Sequence, residues 1–280
     1  MKQLIKRALT GAVYVGLIIA SMLLMENWLF IFLFAAILGQ ALNEFYSQIA
    51  QAQKNHVKTA NTIIDITGGV ATFVATAVTT LPVAAATFTL YASIRLIVAL
   101  YARENNPVSS LALGFFGQIY ITLPLCALAL LYKMGPLVAL AMFVFIWASD
   151  TGAYCVGCTI GKHRLFERIS PKKSWEGFFG GVALCAILGG VAFSQFSEVL
   201  TIDSTPLAEH TTMAGFIAFA VAVAIFSTLG DLIESLLKRT IGIKDFGTIL
   251  PGHGGVLDRI DSLLLVAPTS LICILIINYL

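Results

Sequence analysis

The run Met213-Ala-Gly-Phe-Ile-Ala-Phe-Ala-Val-Ala-Val-Ala-Ile-Phe-Ser-Thr-Leu-Gly230 carries no charge and ends against Asp231 and Glu234. A helix needs about 20 apolar residues to cross a hydrocarbon core, so this stretch reads as a transmembrane helix with acids waiting at one end. The pattern recurs along the chain. Residues 8–25, 28–43, 62–80, 82–101, 111–131, 136–155, 177–196, 212–232 and 260–280 give about nine such helices. Only Leu81-Pro82 separates the third from the fourth, and Asp65 and Arg95 interrupt their runs, so a re-entrant hairpin is the alternative there.

Composition agrees with this reading. Of 280 residues, 58% are apolar and 11% charged, with a mean hydropathy of +0.90, whereas an ordinary soluble domain is about a quarter charged. A soluble globule, a disordered chain, a coiled coil and a disulfide scaffold are excluded, which leaves an all-α polytopic membrane protein. A net charge of +2 gives no ground for a nucleic-acid partner. With the N-terminus in the cytoplasm, inside segments hold fifteen of the 17 basic residues, and the positive-inside rule then gives N-in, C-out. The first helix follows basic residues but no clear cleavage site follows it, so it reads as an uncleaved anchor. We expect residues 1–140 to form an N-terminal scaffold of five helices with any oligomer contacts. Residues 141–280 are expected to form a C-terminal transmembrane region, with cytoplasmic loops 156–176 and 233–259, that carries the catalytic residues suggested by the motifs below.

The five cysteines, at 126, 155, 158, 185 and 273, fall in or beside apolar runs and read as small buried hydrophobes. Cys155-x-x-Cys158 lacks the βαβ setting of a redox motif. Gly157-Cys-Thr-Ile-Gly-Lys162 lacks the glycine spacing and the hydroxyl residue of a P-loop.

Charge concentrates in two islands, 148–181 and 227–262, both assigned to the cytoplasmic face. Acids at helix ends that run into the bilayer are expensive and point to function. At the end of the eighth helix, Asp231, Ser235 and Lys238 stand at i, i+4 and i+7, on one stripe, although Lys238 and Arg239 also suit a helix C-terminus. Beyond it, Gly247-Thr-Ile-Leu-Pro-Gly-His253-Gly254-Gly255 forms a loop whose backbone can approach a ligand closely. Asp258 and Asp261 follow on one helical face. Together with Asp231 they make an all-oxygen set suited to Mg²⁺, which binds through carboxylates and substrate phosphates. His253 has no companions of the kind zinc needs. In the first island, Ser170 reads as an N-cap with Pro171 at N1, which places Lys172, Lys173 and Ser174 in a first helical turn. Lysines there oppose the dipole unless an anion is bound; contact with anionic headgroups is the plainer reading. Asp150, beside Trp147, serves the site or caps the bundle.

Residues 235–261, SLLKRTIGIKDFGTILPGHGGVLDRID, resemble the signature of the phosphatidate cytidylyltransferases, also called CDP-diacylglycerol synthases. WASDTGAY at 147–154 and SPKKSWEG at 170–177 resemble that family as well. The resemblance implies the reaction of CTP with phosphatidate to give CDP-diacylglycerol and pyrophosphate, dependent on Mg²⁺, in a bacterial cytoplasmic (inner) membrane. It places Asp231, Asp258 and Asp261 on the metal, with a second cation such as K⁺ allowed between them. Lys238, Ser235, His253, Gly254 and Gly255 then handle phosphates, Arg239, Lys244, Arg259 and Asp150 complete the substrate site, and Lys172, Lys173 and Ser174 are secondary contacts. A homodimer is a further expectation. Another CTP-using lipid enzyme is the nearer alternative. An ion-coupled transporter is the distant one, since it would place its acids near the bilayer midplane within internal repeats.

Overall fold

A computed structural model of the chain describes residues 2–24, 27–52, 59–102, 106–249 and 254–279. The helices are α1 (Lys2–Leu23), α2 (Asn27–Ala52), α3 (Thr59–Val78), α4 (Leu81–Tyr101), α5 (Pro107–Gly117), α6 (Leu123–Met134), α7 (Pro136–Ile160), α8 (Trp175–Phe196), α9 (Leu207–His210), α10 (Met213–Thr240) and α11 (Leu257–Tyr279). A π-helical turn, Gln118–Thr122, joins α5 to α6, so Pro107–Met134 counts as one long apolar helix. Among the described residues, eight helices are long and apolar enough to cross a bilayer, and α1 adds the shorter apolar stretch Gly11–Leu23. The chain is an all-α polytopic membrane protein.

Two short hairpins interrupt the helices. Strand β1 (Arg164–Phe166) pairs antiparallel with β2 (Ser170–Ser174), and β3 (Thr201–Ile202) with β4 (Thr205–Pro206). The second hairpin turns through Asp203 and Ser204, at φ 49° and 69°. Positive φ at both central residues matches the twist of the flanking strands.

The helices fall into two compact units, Met1–Ala129 with Thr240–Ile260, and Leu130–Arg239 with Asp261–Leu280. The division thus falls before residue 140, and the segment after α10 belongs with the N-terminal helices. Within the first unit, α3 and α4 are two full helices of 20 and 21 residues, not a short hairpin. Their interrupting charges pair with each other: Arg95 Nε donates to Asp65 Oδ1 at 3.0 Å, both side chains being almost wholly buried. Tyr91 also donates to Asp65 Oδ1, and Arg95 Nη2 to the Ser110 hydroxyl. Around the π turn, Gln118 Nε2 donates to the Asp65 carbonyl and Tyr46 to the Gly114 carbonyl. Charges buried among apolar helices need such partners.

In the second unit α7 packs along α8 through small residues. A Cβ on Gly177 would lie 2.7 Å from the Ala153 carbonyl oxygen, and one on Gly181 would lie 2.6 Å from that of Ser149. Small residues let helix backbones approach this closely. Cys126 and Cys185 are buried as expected; Cys155 and Cys158 are exposed on α7, because the packed face runs through Ser149, Gly152 and Ala153 instead.

Candidate active site

Beside the close α7–α8 contact the second unit has a cavity of about 300 Å³. Asp150 and Tyr154 come from α7, Lys172, Lys173 and Ser174 from β2, and Asp231 from α10. Four residues expected from the first island therefore meet one from the second. Lys173 Nζ lies 2.7 Å from Asp231 Oδ2, and both side chains are partly exposed. Two carboxylates, Asp150 and Asp231, and two ammonium-bearing side chains, Lys172 and Lys173, face a space that is also lined by apolar residues such as Phe178 and Leu165. That combination suits an anionic head with an apolar body.

The local structure differs from the sequence reading at Ser170. Residues 170–174 form β2, and α8 begins only at Trp175. Ser174 is the N-cap: its Oγ accepts from the Gly177 amide at 3.1 Å. An extended segment tolerates Pro171 at its edge, and the first helical turn carries the acid Glu176, which suits the dipole. Lys172 and Lys173 thus lie before the helix on an extended strand and do not oppose that dipole. Glu176 reaches back to the loop before β1, where it accepts from the Lys162 and His163 amides and pairs with His163 Nδ1 at 2.6 Å.

Helix α10 continues to Thr240, nearly three turns beyond the apolar run. A Cβ on Gly230 would lie 2.8 Å from the Asp261 carbonyl oxygen and 3.0 Å from the Ser262 Cα. This backbone contact places Asp231, the next residue of α10, beside Asp261 on α11. The Ser235 hydroxyl donates to Asp231 Oδ1 at 3.3 Å, as the i, i+4 spacing implies. Lys238 stands 3.4 Å from the fully buried Glu234, so its ammonium is shared with the second acid at this end of α10. Arg239 is exposed.

The loop before α11 belongs to the first unit. His253 lies outside the described residues. Lys244 and Arg259 are exposed, and the Arg259 carbonyl accepts from the Tyr14 hydroxyl. Asp258 is buried, and its Oδ2 accepts from the Phe246 and Gly255 amides at 2.9 and 2.8 Å. The Gly255 amide, expected to meet a phosphate, is therefore bonded to a protein carboxylate. Gly254 takes φ +84°, a conformation that favours glycine. The residue that sequence reading missed is Glu44. Buried on α2, it accepts from the Val256 and Leu257 amides at 3.1 and 2.9 Å. Its signal was present: an acid in ALNEFYSQIA, one position past the end assigned to the second helix, where an intramembrane charge calls for a reason.

The donors at Asp231 and Asp261 are all oxygen, which fits a hard cation such as Mg²⁺ held by one or two carboxylates with substrate phosphates and water. No group of three or more His, Cys, Asp or Glu gathers as a metal cluster among the described residues. Asp231 and Asp261 would be the protein's share of such a site.

Comparison with known proteins adds two findings. A model of the cytidylyltransferase family matches residues 5–277. Among curated proteins, the phosphatidate cytidylyltransferase of Haemophilus influenzae is 43% identical over 134 residues, which cover 48% of this chain and 44% of that protein. The protein of the same name from Staphylococcus epidermidis is 44% identical over 126 residues, 45% of this chain and 44% of its own. That of Thermotoga maritima is 41% identical over 155 residues, 55% of each. The chain spans about half the length of the curated relatives it matches.

Proposed function

The chain belongs to the cytidylyltransferase family, and from that membership we propose that it joins CTP to phosphatidate, releasing pyrophosphate and forming CDP-diacylglycerol. The observation that carries this reading is the cavity of the second unit, where Lys172, Lys173, Ser174, Asp150 and Asp231 surround a space with apolar walls. A phosphate bearing acyl chains fits that chemistry.

In the reaction, an oxygen of the lipid phosphate attacks the α-phosphorus of CTP. A new P–O–P link forms and the α–β bridge breaks, its electron pair leaving with pyrophosphate. The nucleophile is already an anion, so no side chain has to remove a proton. Catalysis then reduces to positioning and charge neutralisation. Lys172 and Lys173 hold the lipid phosphate by charge-assisted contacts, while Ser174 keeps the start of α8 in place. Asp231 and Asp261 would hold Mg²⁺, which supplies neutralisation of the nucleotide phosphates; Ser235 orients Asp231. We place the protein in a bacterial cytoplasmic membrane, with the cavity open to cytosolic CTP. A homodimer and a second cation such as K⁺ belong to the same reading.

The test uses purified protein in liposomes containing phosphatidate, with Mg²⁺ and CTP labelled at the α-phosphate. Label should enter a lipid with the mobility of CDP-diacylglycerol, and pyrophosphate should appear in equal amount. Absence of labelled lipid would overturn the proposal.

A further inference from the structure

Helix α11 begins with a difficulty. Its first amides have no partners within the helix, and the residue before Leu257 is Val256, whose side chain has no oxygen with which to cap them. The cap comes from elsewhere in the first unit. Glu44 Oε1 accepts from the Val256 amide and Oε2 from the Leu257 amide, at 3.1 and 2.9 Å, while Gln40 Nε2 donates to Oε1 at 3.1 Å. Negative charge at this end also suits the helix dipole. The same acid explains two glycines of the loop. A Cβ on Gly247 would press on Glu44 Oε1, and one on Gly255 on Oε2. Next to Glu44 on α2, the Phe45 ring packs on Phe246, with centroids 6.2 Å apart. Asp258 completes the grip by tying Gly255 to Phe246 through its own Oδ2. Two buried carboxylates thus hold four amides around one turn.

We infer that Glu44 is a positioning residue for the metal carboxylates: it fixes the first turn of α11, the helix on which Asp261 lies. This rests on the proposed function. A structural cap alone would be met more cheaply by Ser or Asp at position 256, whereas a buried glutamate costs free energy unless every oxygen is bonded. Both Glu44 oxygens are taken up by protein N–H donors, so it acts through the backbone it grips. Outer partners that orient a metal's ligands typically carry ~10- to 100-fold of metal affinity or activity.

Glu44→Gln keeps the size of the side chain but turns an NH₂ group toward one of the two amides. The full-length variant in detergent should remain monodisperse and melt only a few degrees below the wild type, the cost of one donor facing another. Its Mn²⁺ affinity, read by electron paramagnetic resonance without substrates, should fall ~10-fold or more, and the Mg²⁺ needed for half-maximal cytidylyl transfer should rise in step. KM for phosphatidate should stay as in the wild type. Glu44→Asp, which keeps both oxygens, should show a smaller loss, and serves as the test if Glu44→Gln does not assemble. Unchanged Mn²⁺ affinity and Mg²⁺ requirement in a folded variant would overturn the inference, as would losses that only track melting temperature. A wild type that makes no CDP-lipid would overturn the functional reading instead.

Discussion

Lys173 Nζ stands 2.7 Å from Asp231 Oδ2, joining β2 to α10 at the cavity they both line. The side chains are 26% and 34% exposed, and pairs this accessible add only ~0–1 kcal/mol to stability. The pair therefore adds little to the stability of the fold. Lys173→Ala should melt within a few degrees of the wild type while KM for phosphatidate rises. A lost hydrogen bond between charged groups is worth about 1.5–3 kcal/mol, or ~10- to 100-fold in affinity. Lys173→Arg should keep most of the binding. An unchanged KM in Lys173→Ala would remove Lys173 from the substrate site.

Asp231→Asn tests the other half of the pair. The amide keeps the shape and still offers the Ser235 hydroxyl an acceptor, so folding should be spared. Removing one preorganised charge partner at a reacting centre typically costs ~10²- to 10³-fold in kcat. We expect a loss of that order, not restored by raising Mg²⁺, from initial rates measured in liposomes. Asp231→Asn with wild-type rates would leave Asp261 without its proposed companion.

The buried pair in the first unit makes the opposite prediction. Arg95 and Asp65 lie among the apolar faces of α3 and α4, and removing one partner of such a pair costs ~3–5 kcal/mol, because the other charge is left buried alone. Arg95→Met should lower the melting temperature of the detergent-solubilised protein markedly. Combining it with Asp65→Asn, which removes the stranded charge, should restore part of the loss. A double variant no more stable than Arg95→Met would show that the two residues do not act as a pair.

Much of this was legible in the chain. Uncharged runs such as Met213–Gly230 mark spanning helices because a bilayer demands length and hydropathy, and Asp231 with Ser235 follows from helical spacing. Helix ends were less legible. The polar residues after Asp231 continue α10 to Thr240, since helix geometry persists once the apolar run has ended. Ser170 and Ser174 offer equal capping chemistry four residues apart, and only the pairing of β2 with β1 decides for Ser174. Glu44 and its amides on Val256 and Leu257 are more than 200 positions apart, and no local pattern joins them. The same holds for Asp65 with Arg95: each reads locally as an interruption, and only their meeting gives the charge a reason.

Gly254 and Gly255 are adjacent, and the structure assigns them different reasons for being glycine. Gly254 has φ +84°, so Gly254→Ala should cost ~1–2 kcal/mol through backbone strain, whatever binds nearby. Gly255 takes no such conformation; its Cβ would lie 2.7 Å from the Gly247 amide nitrogen and press on Glu44 Oε2. Gly255→Ala should therefore push Glu44 off the start of α11 and lower Mn²⁺ affinity more than Gly254→Ala does. Shortening the acid relieves that collision, so Gly255→Ala combined with Glu44→Asp should bind Mn²⁺ better than Gly255→Ala alone. A glycine kept open for a nucleotide phosphate would show no such rescue, because the methyl group would still stand where the phosphate has to approach. Failure of the rescue, with both proteins folded, would return Gly255 to the substrate and leave Glu44 as a cap.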